Sequence, residues 1–174
     1  MCQITESKPL SVSAIGVRLS DEIPVDNYNY GQLQIRFEDG SVGWYEAGWG
    51  PMISETAFFV KDVIGPKGSV SIVSDDDTFI KDSDNLENHT KNNCLKIHSS
   101  ELDSNQKFIA PNRKIVYDED PSHQDLCDYE QEYFYNSIID DVDLKPHMED
   151  AYKSLQIALA CDEAVKKSIT VYLD

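Results

Sequence analysis

The stretch from Gly31 to Val73 constrains this chain more than any other, because its strand-like segments are apolar on both faces. Gln32 to Phe37 alternates cleanly, with Leu33, Ile35 and Phe37 on one side of an extended chain. Asp39-Gly40 supplies a tight turn, since both residues tolerate positive φ. The partner segment, residues 41–49, carries Val42 and Trp44 on one face and Tyr45, Ala47 and Trp49 on the other. Gly50-Pro51 interrupts it. Residues 56–64 again load both faces, through Ala57, Phe58, Phe59, Val60, Val63 and Ile64. Gly65 to Gly68 forms a turn, and residues 69–73 return as the partner strand. A sheet apolar on two faces must be covered on two faces. Helices can take one of them, and a second copy of the chain is the simplest cover for the other.

The rest of the chain supplies those helices. Residues 9–19 alternate and read as a strand, with Val12 and Ala14 set against Ser11 and Ser13. Residues 21–29, rich in Asp, Asn and Pro, read as a loop. The polar middle, residues 74–121, contains two short strand-like runs, 94–98 and 114–117. Ser122 with Asp125 three residues later is a capping-box-like helix start. That helix carries Leu126, Tyr129, Tyr133, Phe134 and Ile138 at helical spacing. The Asp-rich segment 140–143 ends it. A second helix follows, with Pro146 tolerated in its first turn, where N–H groups lack intrahelical acceptors anyway. Met148, Ala151, Tyr152, Leu155, Ala158, Leu159 and Val165 form a single stripe on it, expected to bury against the sheet. Residues 169–173 close the chain as a strand. The expected fold is α+β: one open, mostly antiparallel mixed sheet with helices packed on one face, in a single domain spanning 1–174.

Charge and composition narrow the function. A formal net charge of -17 on 174 residues repels phosphate backbones and anionic lipid heads, so neither nucleic acid nor a membrane is an expected partner. No stretch approaches the ~20 apolar residues of a membrane span, and the N-terminal MCQITESKPL lacks the basic and apolar regions of a signal peptide. Cys2, Cys94, Cys127 and Cys161 are far apart in a chain large enough to fold without staples. Reduced thiols and a cytoplasmic location are the expectation.

Few motifs in the sequence carry chemistry. Gly48-Trp49-Gly50-Pro51-Met52-Ile53 lacks the third glycine of a dinucleotide fingerprint and does not open a helix. Gly65 to Gly68 is no phosphate loop. Cys94-x3-His98 and His123-x3-Cys127 make a formal two-plus-two zinc set, but the spacing favours a buried thiol and unrelated histidines. The aspartates at 75–77 and 140–143 lack the order of a calcium loop and read as turn and cap residues. His147, near Glu149 and Asp150, could act as a general base, yet a place in a first helical turn favours an exposed or capping role.

Three blocks resemble one family: KPLSVSAIGVRL (8–19), FEDGSVGWYEAGWGPMISETAFFVKDVIGPKGSV (37–70) and HQDLCDYEQEYFYNSIIDDVDLKPHMEDAYKSLQIALACDEAVKKSITVYL (123–173). They are similar to the C-terminal part of the glucose–fructose oxidoreductase, inositol dehydrogenase and MocA-like (Gfo/Idh/MocA) family. The most specific signal is D-A-x-x-S-L-x-I-x-L-A followed by K-x-x-x-T-V. The resemblance implies a dihydrodipicolinate-reductase-like α/β domain that shapes a substrate pocket and builds oligomers. It also implies a separate Rossmann domain that binds NAD or NADP, and hydride transfer on sugars or polyols. Proton transfer in the family rests on an E-K-P lysine and on the His of a D-x-G-x-H helix.

This sequence departs from that pattern. In Glu6-Ser7-Lys8-Pro9 an extra Ser separates Glu from Lys, and Lys8-Pro9-Leu10-Ser11-Val12 matches the family segment after the D-x-G-x-H helix. No D-x-G-x-H occurs. The Rossmann domain and both proton-transfer residues are therefore expected upstream of residue 1. No catalytic residue, cofactor-binding residue or metal ligand is assigned, and the chain alone is expected to be inactive. The resemblance does imply that Trp49, Met52, Ser54 and Glu55 line the substrate pocket, although Trp49 and Met52 could equally pack in the sheet or between subunits. A stand-alone, non-catalytic binding or scaffolding module derived from such an enzyme is the alternative.

Overall fold

The computed structural model describes residues 1–48, 61–73, 94–117 and 121–173. Within them the chain forms β1 (Pro9–Val17), β2 (Tyr30–Phe37), β3 (Val42–Gly48), β4 (Lys61–Gly65), β5 (Gly68–Ile72), β6 (Cys94–Ser99), β7 (Arg113–Val116) and β8 (Thr170–Tyr172). The helices are α1 (Cys2–Thr5), α2 (His123–Ile139) and α3 (Lys145–Lys167). The short α1 was not foreseen in the sequence. Two compact units result, Met1–Ile53 with Ser137–Asp174, and Ser54–Asn136. All described strand pairs are antiparallel. Among the described residues they form two four-stranded ladders, β3-β2-β1-β8 and β4-β5-β6-β7.

In the first unit, β2 and β3 are joined by the Asp39-Gly40 turn. The Gly40 N–H donates to the Phe37 carbonyl at 3.1 Å, and Gly40 takes a φ of 85°, which a side chain would resist. Register places Val12 opposite both Ile35 and Val171, so these three share one face. Against that face lies α3, whose Ile157 and Ala160 complete a core with Val12, Ile35 and Phe37. The close approach is set by small residues. Ala164 is fully buried, and a Cβ on Gly16 would sit 2.7 Å from the Tyr28 ring and 2.8 Å from Val165 Cγ1.

That packing corrects the stripe read from sequence. Leu155 and Leu159 are 56% and 63% exposed, and Met148 and Tyr152 are exposed with them. The reason is rotational. At 3.6 residues per turn, Leu155 lies about 200° around the helix from Ile157. A sheet that accepts Ile157, Ala160 and Ala164 therefore turns the bulkier stripe away. The helix is apolar on two sides, and the small-residue side faces the strands. Its start follows expectation: Pro146 occupies the first turn, and Asp143 Oδ1 accepts from the Lys145 N–H at 2.9 Å.

In the second unit, Pro66-Lys67 turns β4 into β5. Gly68 has a φ of 142°, and a Cβ there would strike the His98 carbonyl. Register aligns Val63, Val70 and Ile97 in one row and Ile72, Leu95 and Ile115 in the next, giving the ladder one aliphatic face. The capping box at α2 forms as expected. Asp125 Oδ2 accepts from the Ser122 N–H (2.9 Å) and hydroxyl (2.7 Å), while Ser122 Oγ accepts from the Asp125 N–H at 3.1 Å. The apolar residues Leu126, Tyr129, Tyr133, Phe134 and Ile138 on this helix are exposed.

Candidate functional site

Trp49, Met52, Ser54 and Glu55, the residues expected to line a substrate pocket, lie outside the described residues. One hollow among the described residues belongs to the first unit, where the N-terminal turns of α3 meet the start of β1 and the residues after β8. It has a volume of about 400 Å3. Pro9, Met148, Tyr152 and Leu173 line it with apolar surface, and Lys8, Lys145, Lys153 and Glu149 line it with charge. Lys145 pairs with Glu149 at 3.8 Å and Lys153 with Asp150 at 3.3 Å. The cleft offers an apolar surface for a ring or chain beside ammonium groups. The sequence placed Lys8-Pro9 in a family segment, but only the return of β8 beside β1 brings it to α3.

A second hollow, of about 420 Å3, lies beside Tyr28 and Asp162. Burial raises the Tyr28 phenol above its ordinary value, and the neighbouring Cys161 and Asp162 push it the same way. Asp162 in turn holds Lys166 at 2.7 Å. Burial likewise raises the Cys161 thiol, helped by Asp162. Both groups are held in their neutral forms, which suits packing of the 18–29 loop against α3 rather than nucleophilic work. On the other face of the sheet the Tyr30 hydroxyl donates to Glu46 Oε1 at 2.6 Å, and that bond is the main cause of its raised pKa.

The two-plus-two zinc set does not assemble as one site. Cys94 and His98 are four residues apart on β6, and at about 3.3 Å per residue in a strand their Cα atoms are roughly 13 Å apart. Cys94 is fully buried. The His98 ring hydrogen-bonds Asn112 Oδ1 through Nδ1 at 2.8 Å and meets the Phe108 ring edge-on at 4.6 Å. His123 and Cys127 do come together, with Nε2 and Sγ 3.7 Å apart on α2. His147 lies in the first turns of α3 and is exposed.

No glycine-rich turn precedes either long helix among the described residues. A pyrophosphate cradle needs glycines between a strand and a helix N-terminus. The last glycine of the sequence is Gly68, well before either long helix. Nor is any helix among the described residues long and apolar enough to cross a membrane.

Comparison with known proteins places this architecture. The crystal structure of aldose-aldose oxidoreductase from Caulobacter crescentus complexed with glycerol superimposes with a TM-score of 0.67 at 17% sequence identity. The match covers 99% of this chain and 43% of that one, so the chain spans less than half of its structural neighbour. A comparison with curated proteins gives no match. Residues 6–173 match the family described as "Oxidoreductase family, C-terminal alpha/beta domain". With its antiparallel α+β architecture and a match over nearly its whole length, the chain belongs to the C-terminal domains of the Gfo/Idh/MocA oxidoreductase family.

Proposed function

We propose that this chain is the substrate-binding and oligomerisation domain of an NAD(P)-dependent oxidoreductase acting on sugars or polyols, with cofactor and proton-transfer groups supplied from outside residues 1–174. The observation that carries the reading is the family match over residues 6–173. The absence of a glycine-rich turn before either long helix supports placing the cofactor elsewhere. The choice of sugar or polyol draws on the structural neighbour, an aldose-aldose oxidoreductase crystallised with glycerol. Calorimetry with NAD(H) and NADP(H) should give no binding to the isolated chain. Micromolar binding of either cofactor would overturn the assignment.

Oligomerisation would use the sheet face that α3 leaves bare. Register puts Ile15, Val17, Trp44 and Tyr172 on that face, with Gln32, Gln34 and Arg36 of β2 between them. All four apolar side chains are exposed. An aromatic and aliphatic surface crossed by hydrogen-bonding amides suits a two-fold contact, with the amides pairing across it. Trp44→Asp should convert dimers to monomers in light scattering. A wild-type chain that is monomeric at micromolar concentration would count against the proposal. The protein is expected to work in the cytoplasm, in keeping with four cysteines free of disulfides.

A further inference from the structure

We propose that Arg36 and Glu46 pair reciprocally across a two-fold contact between two copies of the chain, and that this pair sets how the copies are oriented. The inference rests on the oligomerisation reading above. The four strands of the first ladder contain two charged residues in a chain whose net charge is -17, Arg36 on β2 and Glu46 on β3. Depletion of charge of this kind marks the centre of a protein interface. Ile35, with Val12 and Gly43 as its ladder partners, defines the face that packs on α3. Arg36 and Glu46 alternate with it in register, so both fall on the bare face, and both are exposed.

Within one chain the two charges do not meet. Glu46 lies opposite Gln32, four residues along β2 from Arg36, a separation of about 13 Å. Arg36 makes no ion pair among the described residues. Glu46 is held instead by Tyr30, whose hydroxyl donates to Oε1 at 2.6 Å and accepts from Gln32 Nε2 at 3.0 Å. Its second oxygen, Oε2, makes no hydrogen bond among the described residues and can accept from a guanidinium. A two-fold axis lying in the contact plane and crossing the strands at Gln34 and Trp44 reverses strand direction between the copies. The row of Gln32 and Glu46 then lies over the row of the partner's Arg36. Glu46 is offset from that residue by one strand spacing, about 4.8 Å, which an arginine side chain spans. Symmetry makes the contact twice. An axis running along the strands between β1 and β2 would set Arg36 over the partner's Ser11 and bury both charges without counter-ions, at a large desolvation cost. The crossing axis is therefore the one the charges select.

Charge reversal tests the pair, read as the dimer dissociation constant in analytical ultracentrifugation of the whole chain. Arg36→Glu alone and Glu46→Arg alone each bring like charges together twice, and each should weaken the dimer about a hundredfold or more. Mixing these two variants should restore association, because every reversed charge then meets its opposite on the other chain. The double variant, Arg36→Glu with Glu46→Arg, should recover most of the lost affinity by itself. A variant that merely fails to fold is rescued by neither. A wild-type dimer that survives both single reversals, or weakened variants that stay apart when mixed, would overturn the pairing while the oligomerisation reading stands. A monomeric wild-type chain would overturn both.

Discussion

Truncating Ile157 and Leu155 to alanine, one at a time, tests which way α3 faces. Ile157 is 7% exposed and packs in the cluster of Val12, Ile35, Phe37 and Ala160. Removing its three outer carbons loses their transfer free energy and leaves a cavity between helix and sheet, which together cost about 3 kcal/mol. Leu155 is more than half exposed. Its truncation takes away less than half of a buried side chain's contribution, about 1 kcal/mol or less, and leaves no cavity. The difference of about 2 kcal/mol is a factor of about 30 in the folded-to-unfolded ratio. Trp44 lies on β3 of the first unit, so tryptophan fluorescence reports the unfolding of that unit in urea. Ile157→Ala should lower the midpoint with an unchanged slope, and Leu155→Ala should barely move it. Two chain concentrations separate folding from association. If Leu155→Ala costs as much as Ile157→Ala at both, the helix is turned the other way and the packing described above is wrong.

The contact between Gly16 and α3 yields a second prediction. Gly16→Ala forces a methyl into the Tyr28 ring and Val165, and should cost about 1–3 kcal/mol in the same urea experiment. A neutral or stabilising result would show that the loop and helix yield without penalty. A third concerns acid. Hydrogen bonds from the Ser122 hydroxyl and backbone hold the Asp125 carboxyl below its ordinary pKa. Because the folded value is the depressed one, the stabilisation is present above the ordinary carboxylate range and is lost as pH falls through the folded value. Hydrogen-exchange protection of the first-turn amides of α2, corrected for intrinsic exchange rates, should fall over that acid window in the wild-type chain. It should not in Asp125→Ala, and a flat wild-type profile would contradict the prediction.

Much of the local structure was legible in the sequence, because local structure depends on near neighbours. The Asp39-Gly40 and Gly65–Gly68 turns rest on glycine's tolerance of positive φ. The capping box at Ser122 and Asp125 needs only residues three apart, and Pro146 only a first turn. Period-2 alternation placed Leu33, Ile35 and Phe37 on one face of β2, and register confirms that Leu33 and Ile35 lie with Ala14 and Val12. The expected pocket residues, by contrast, came from resemblance alone and fall outside the described residues.

Tertiary structure decided the rest. The sequence of α3 offers two apolar arcs, and a count of hydrophobic area favours the one through Met148, Tyr152, Leu155 and Leu159. The fold buries the other, with Ile157, Ala160 and Ala164, because alanine and the glycine at position 16 let backbones approach closely. Pattern alone measures how apolar an arc is, and not how near a partner can come. The grouping of strands into two ladders and the cleft where Lys8 meets Lys145 are of the same kind. Each depends on residues distant in sequence that only the folded chain brings together.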